Sequence, residues 1–192
     1  MFSYKIDDIE KEKNSVGISV IDLELREDLK HKEEEYIKFL VRNIEKFLQE
    51  GKNIYLFSFC KEEDDEKAIE KVLENIKNKE EKNKIKIIKY NNNLIEFLDI
   101  YKKMEYMICQ RFHSLILSCI CNQKIFVISY SKKIDNVIKD LKLEINYKEH
   151  KNLKEDEKLN LKEFKEAKNI EKIKIEAEKQ FKELDKFIKK GD

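Results

Sequence analysis

Two short polar segments carry the residue types best suited to chemistry in this chain. The first, residues 109–115, reads CQRFHSL and is followed by the apolar segment Leu115–Cys121. Arg111 offers a planar guanidinium to a carboxylate or phosphate, and His113 can exchange a proton near neutral pH. The helix expected to follow adds free backbone N–H groups and the positive end of its dipole. Together these features predict a small-anion site.

The same segment has a second interpretation that needs no ligand. In it, Arg111 pairs with an Asp or Glu from a neighbouring element, and His113 caps the helix or is satisfied in the core. A guanidinium between an apolar strand and an apolar helix is costly unless it faces a cleft or a partner. Residue types alone therefore leave both interpretations open.

The second polar segment, residues 129–134, reads SYSKKI and follows another apolar run. Tyr130 can stack on a ligand or hydrogen-bond to it, and Lys133 can add a second positive charge. The alternative is a tyrosine lid with solvated lysines, because lysine is mostly exposed in proteins.

Apolar runs and helical periodicity predict the elements that position these segments. The runs are nearly continuous, as in strands of a parallel sheet covered on both faces. They are Val16–Ile21, Ile54–Phe59, Ile85–Ile88, Ile125–Ser129 and, more weakly, Tyr106–Cys109. Helical spacing occupies Glu33–Glu50, a stretch starting at Asp64 or Asp65, and Asn93–Lys103. The alternation predicts a three-layer Rossmann-like α/β fold, whose ligands bind at the carboxyl ends of the strands.

The C-terminal region has a different pattern. Apolar residues spaced by three and four within Lys154–Lys190 predict a long amphipathic helix. Its apolar stripe either packs on this domain or a neighbour, or binds a partner. Asn152–Asn160 is polar and lacks periodicity, which is typical of a linker. We therefore predict a Rossmann-like domain over residues 1–150 and a linker with a C-terminal helix over residues 151–192.

Composition excludes several classes of protein. Lys and Arg number 41 against 40 Asp and Glu, a net charge of +1, so the chain is not a basic nucleic-acid binder. No stretch approaches the ~18 apolar residues of a membrane span, and the N-terminus lacks the pattern of a signal peptide, so we predict a cytoplasmic protein. Three of its four cysteines lie inside apolar runs, where a buried thiol is the usual interpretation, and neither a metal site, a disulfide framework nor a cofactor is predicted. The four cysteines are Cys60, Cys109, Cys119 and Cys121.

Two motifs in this order resemble the polysaccharide pyruvyl transferases. In that family an Arg-Leu-His motif opens a buried helix, and a Tyr-Asp-Pro-Lys-like element follows the next strand. Here residues 111–118 read RFHSLILS, and residues 130–133 read YSKK after the strand Lys124–Ser129. Earlier segments are similar too, among them Gly17–Ser19 and the acidic turn Asp64-Asp65. The resemblance covers Val16 to Leu143 and corresponds to the C-terminal half of a family member.

The resemblance implies a specific activity. Family members look like two-domain glycosyltransferase-B enzymes that transfer the enolpyruvyl group of phosphoenolpyruvate onto paired sugar hydroxyls, as a ketal, in cell-surface polysaccharide synthesis. By carry-over Arg111 and His113 hold phosphoenolpyruvate, and His113 is the candidate proton donor to its methylene carbon or to the leaving phosphate. Ser114, Tyr130 and Lys133 complete the implied substrate-binding set.

The chain also departs from the family pattern. Phe112 replaces leucine, Ser131-Lys132 replaces Asp-Pro, and Arg26 lies four residues beyond Asp22, near which members often carry an arginine. The N-terminal domain that binds the glycan acceptor is expected to be missing or separate. Two alternatives follow: a non-catalytic remnant that serves as an interaction module, or half of a sugar-nucleotide glycosyltransferase. A receiver domain is disfavoured because Asp22 alone ends the first strand.

Overall fold

Six parallel strands form one open sheet in the computed structural model, which describes residues 10–91, 93–168, 170, 173, 175 and 179. The strand order is β3-β2-β1-β4-β5-β6, and every neighbouring pair is parallel. This order confirms the predicted Rossmann-like α/β fold. The strands are β1 Glu12–Ser19, β2 Asn53–Ser58, β3 Lys86–Lys89, β4 Met104–Cys109, β5 Lys124–Ser129 and β6 Asn146–Glu149.

Helices cover both faces of the sheet. They are α1 Glu33–Gln49, α2 Asp65–Asn75, α3 Lys79–Lys82, α4 Leu94–Tyr101, α5 Phe112–Ile120 and α6 Lys132–Asp140. Buried residues of α1 and α2 form one core with the sheet, and those of α4, α5 and α6 form a second core on the opposite face. Gly51, with φ of 73°, follows α1 in the left-handed conformation that glycine adopts after a helix end. The predicted three layers are therefore present.

The strand order reverses between β1 and β4. These two strands are neighbours in the sheet although β2 and β3 lie between them in the chain. Ligands in open α/β sheets bind in the crevice outside the carboxyl ends of the strands at such a reversal. The loops that leave β1 and β4 therefore border the crevice expected to hold a ligand.

The edge strand β6 has no counterpart in the sequence prediction. Its residues Asn146–Glu149 are polar, and the strand is only partly buried. Among the described residues its one strand partner is β5, so it lies at the rim of the sheet. An edge strand needs no continuous apolar run, so the pattern that revealed the central strands is missing here.

The predicted helix over Lys154–Lys190 is wrong in its first part. Residues 154–168 hold only a 3-10 turn, Leu161–Glu163, and an isolated antiparallel bridge between Lys165 and Ile125. Leu159 and Phe164 are instead buried in the core that contains α1. Phe164 packs against Tyr106 of β4 and Phe126 of β5, so the apolar residues of this segment reach the sheet without helical periodicity.

The remainder of that predicted helix lies outside the described residues, apart from four isolated positions. The division into a domain over 1–150 and an appended segment over 151–192 stays a prediction. Within the described part of the chain, no helix combines the length and the apolar character needed to cross a membrane.

Candidate functional site

Ser19 joins the ends of the two strands that flank the reversal. Its Oγ accepts hydrogen bonds from the backbone N–H of Gln110 at 2.8 Å and of Arg111 at 3.3 Å. The serine is fully buried at the last position of β1, so these bonds fix the start of the loop after β4. The sequence prediction did not include Ser19 among the site residues.

Arg111 lies directly before α5 and is 6% exposed. Its Nη2 donates to Asp65 Oδ1, its Nε donates to Asp65 Oδ2 at 3.3 Å, and its Nη1 donates to Glu63 Oε2. Burial alone would lower the pKa of Arg111, but the two carboxylates raise it above its ordinary value. The ion pair that was one of the two interpretations of Arg111 is therefore present.

Asp65 is the fixed partner in this pair. It is fully buried at the first position of α2, and its Oδ2 accepts the backbone N–H groups of Phe59 at 3.0 Å and Cys60 at 2.9 Å. Neither aspartate at the start of α2 caps the helix: Asp64 pairs with Lys67, and Asp65 turns back to the end of β2. Asp65 thus links Arg111 to the loop after β2.

Arg26 also reaches this edge of the sheet. Its Nη2 donates to Glu63 Oε2 at 2.9 Å, and its guanidinium carbon lies 4.2 Å from the centre of the Tyr130 ring. We call Arg26, Glu63, Asp65 and Arg111 the arginine cluster. Tyr130, one of the predicted substrate-binding residues, lies against the Arg26 guanidinium. The cluster therefore draws on the loops after β1, β2 and β4, and the loop after β5 supports it.

His113 lies in the first turn of α5, and Lys133 reaches the start of that helix from α6. Both are exposed, and Lys133 Nζ is 4.2 Å from the centre of the Phe112 ring. The rings of Phe112 and His113 are 5.6 Å apart. The first residues of a helix have free N–H groups. The contact with Phe112 places the Lys133 ammonium near the amino end of α5, where His113 also lies.

Ser114 is separated from the other predicted site residues. Its hydroxyl lies 2.9 Å from Tyr101 Oη, which also contacts Ser118 Oγ at 2.7 Å. All three residues are buried in the core that contains α4 and α5. The Ser114 side chain therefore holds two helices together and faces away from the carboxyl edge.

A comparison with protein families supplies the decisive observation. The family model for polysaccharide pyruvyl transferase matches residues 3–132, about two thirds of the chain. The chain belongs to the polysaccharide pyruvyl transferase family. Neither the comparison with curated proteins nor that with solved structures gave a significant match.

Membership implies a sugar acceptor and a donor substrate. In this family member the match ends one residue before Lys133 and leaves out β6 and the buried segment around Leu159. It includes every residue of the arginine cluster and most of the predicted site, namely Arg111, His113, Ser114 and Tyr130.

A buried polar layer lies beneath the arginine cluster in this family member. His150, which follows β6, is 2% exposed, and its Nε2 is 3.4 Å from Gln110 Oε1. Its ring packs against Tyr36, with the ring centres 4.6 Å apart. Burial lowers the pKa of His150 to about 3, so the imidazole is neutral at physiological pH. No sequence pattern predicted His150, because a lone histidine beyond an unrecognised strand has none.

An acidic cluster after β1 is neutralised from within the chain. Carboxylate oxygens of Asp22, Glu24 and Glu33 lie within 4.8 Å of one another. Lys71 Nζ forms ion pairs with all three, at 3.3 Å to Asp22 and 2.9 Å to Glu24. The lysine ammonium occupies the position that a metal ion would take, so these residues do not fit a metal centre.

A cavity of about 870 Å³ lies at the opposite edge of the sheet. Lys52 and Lys124, near the starts of β2 and β5, line it together with Phe164. None of the predicted site residues borders it. The candidate site is therefore defined by the charges and hydrogen bonds at the carboxyl edge, and this cavity is not part of it.

Proposed function

We propose that this chain binds phosphoenolpyruvate outside the carboxyl ends of β1 and β4 and takes part in the ketal pyruvylation of a sugar in cell-surface polysaccharide synthesis. The observation that carries the proposal is the position of Arg111. It lies where the strand order reverses, and Asp65 anchors it. Arg26, His113 and Lys133 supply further polar groups at this edge.

The groups at this edge suit phosphoenolpyruvate, which carries a phosphate and a carboxylate. Arg111, Lys133 and the free N–H groups of α5 offer donors and positive charge to such an anion. In ketal formation two sugar hydroxyls bond to the central carbon of the enolpyruvyl group and the phosphate leaves. Of the two hydroxyl protons, one reaches the methylene carbon and one reaches the phosphate. His113, exposed in the first turn of α5, is the proposed carrier of one of them.

The remaining parts of the proposal concern the rest of the enzyme. The acceptor glycan binds to a second, N-terminal domain, either in the same polypeptide or in a separate one. Closure of that domain over the carboxyl edge excludes water from the reacting groups, as domain closure does in other enzymes. We place the reaction in the cytoplasm.

One observation supports a second candidate function. Arg111 is almost fully buried, and its Nε, Nη1 and Nη2 all donate to carboxylates. An arginine engaged in this way can serve as a structural link between α2 and α5. In that case the chain is a non-catalytic family member that acts as an interaction module.

Titration of phosphoenolpyruvate by calorimetry tests the proposal. The variants to be compared change exposed residues, so that the fold is kept. Lys133→Ala is expected to weaken binding about tenfold, the effect of losing one charge-assisted contact of about 1.4 kcal/mol. Lys139→Ala, on the same helix α6 and also exposed, is the matched control and retains the parent affinity.

Equal affinity of these two variants contradicts the assignment of Lys133. Absence of phosphoenolpyruvate binding by the folded parent protein contradicts the proposed function and favours the interaction module. Thermal stabilisation by a nucleoside diphosphate, without stabilisation by phosphoenolpyruvate, favours a sugar-nucleotide glycosyltransferase.

A further inference from the structure

We propose that Glu63 is a displaceable internal counterion, whose carboxylate occupies the place between Arg26 and Arg111 that the anionic substrate takes on binding. The proposal rests on the proposed function for the identity of the substrate. Its geometric basis is independent of that identity, because any phosphate or carboxylate ligand meets the same two guanidinium groups.

The two guanidinium groups converge on one oxygen atom. Glu63 Oε2 accepts from Arg26 Nη2 at 2.9 Å and from Arg111 Nη1. The Glu63 side chain is 47% exposed, whereas that of Arg111 is 7% exposed. The carboxylate therefore lies on the solvent side of the buried guanidinium, where an incoming anion would approach it.

The two carboxylates on Arg111 differ in how firmly the protein holds them. Asp65 is fully buried and accepts two backbone N–H groups in addition to the guanidinium. The described hydrogen bonds to the Glu63 carboxylate come only from Arg26 and Arg111. Glu63 also ends a short 3-10 turn, Lys61–Glu63, at the surface. Asp65 is thus the permanent partner of Arg111, and Glu63 is the one that can leave.

The charge balance requires that departure. Arg26 and Arg111 contribute two positive charges, and Asp65 and Glu63 contribute two negative charges, so the arginine cluster is neutral as it stands. A multiply charged anion that arrived with Glu63 in place would meet a like charge within contact distance, which is strongly unfavourable in a partly buried site. Removal of the Glu63 carboxylate leaves a net positive site for the ligand.

Tyr130 keeps Arg26 in position during the exchange. The guanidinium lies over the tyrosine ring, and this contact does not involve Glu63. The ring face attracts the cation without help from a carboxylate, so this contact remains available when Glu63 departs. Two preorganised donor groups therefore remain, and a phosphate or carboxylate can bind them as Glu63 does.

The experiment compares phosphoenolpyruvate affinity, measured by calorimetry, among the parent protein, Glu63→Gln and Glu62→Gln. Glu63→Gln removes the competing charge and keeps the size of the side chain, so it is expected to bind at least about tenfold tighter. Glu62→Gln, the exposed neighbour in the same turn, is the matched control and is expected to bind like the parent protein. Unchanged or weaker binding by Glu63→Gln overturns the proposal.

Inorganic phosphate is titrated in parallel, which separates this proposal from the proposed function. If phosphoenolpyruvate binds to none of the folded proteins, the proposed function fails, and phosphate decides the counterion proposal. Tighter phosphate binding by Glu63→Gln supports it, and equal or absent binding contradicts it. Circular dichroism confirms the fold of each variant, and Glu63→Ala serves as a second variant with the same expected gain. Adding Arg26→Ala to Glu63→Gln is expected to abolish the gain.

Discussion

Arg26 and Arg111 donate hydrogen bonds to the same atom, Glu63 Oε2, although they follow different strands of the sheet. Arg26 comes from the loop after β1, and Arg111 comes from the loop after β4. These strands are the neighbours between which the strand order reverses. The shared oxygen thus ties together the two loops that border the expected ligand crevice.

Asp65→Asn is expected to destabilise the protein by about 3–5 kcal/mol, because it removes one partner of a buried ion pair. The remaining amide cannot balance the guanidinium of Arg111, which stays buried beside it. Urea unfolding measures the change. Asp64→Asn is the control, expected to change stability by less than about 1 kcal/mol, because Asp64 forms an exposed pair with Lys67. Equal losses in both variants would show that the Asp65–Arg111 pair has no special weight.

Asn43→Ala is expected to loosen the segment that replaces the predicted helix. Asn43 Nδ2 donates to Glu157 O at 3.0 Å, and its Oδ1 accepts from Leu159 N at 2.7 Å. The substitution leaves the buried Leu159 N–H without this acceptor, at a cost of about 1–3 kcal/mol. Urea unfolding gives the stability, and hydrogen exchange at the Leu159 amide gives the local effect. Asn75→Ala, which removes an exposed side chain, is expected to leave that exchange rate unchanged.

Gly17→Ala is expected to destabilise the sheet by about 1–3 kcal/mol through overpacking. A Cβ at this position would overlap Met107 Sδ and lie 2.8 Å from Phe57 Cε2. The strand cannot retreat because β1 pairs on both sides. Thermal unfolding provides the comparison with Gly51→Asn, where no atom lies within 4 Å and asparagine tolerates the positive φ. A Gly17→Ala loss no larger than that of Gly51→Asn would refute the overpacking argument.

His150 is expected to make stability depend on pH below neutrality. Its pKa is lowered to about 3 in the folded protein from an ordinary value of 6.5, so the unfolded chain binds a proton first as the pH falls. Stability is therefore lost from about pH 6.5 towards pH 3, with a limiting slope of about 1.4 kcal/mol per pH unit from this group. His150→Phe keeps a ring against Tyr36 and is expected to show a shallower slope in urea unfolding. His31→Gln, an exposed control, is expected to keep the parent slope. Parallel slopes for His150→Phe and the parent protein would contradict the assignment.

The central strands and the helices that cover them were predictable because their burial leaves a local signal. Strands such as Ile54–Phe59 are covered on both faces and read as continuous apolar runs. The edge strand β6 lacks that signal because its side chains are polar and only partly buried. The segment around Leu159 was wrongly predicted as a helix. Apolar residues spaced by three and four can also come from a non-helical segment whose residues contact α1 and the sheet one by one.

By itself the sequence determined the alternating α/β order, the family, and the placement of Arg111 and His113 at the junction of a strand and a helix. These features are local, since they depend on composition and spacing within single segments. Only the tertiary structure decided the partners of Arg111. Asp65 and Glu63 follow β2, and Arg111 follows β4. These two strands flank β1, so their carboxyl ends lie close together at the same edge of the sheet. Strand order is set by contacts between residues distant in the chain. The rotation of α5 likewise turned Ser114 towards Tyr101, away from the site.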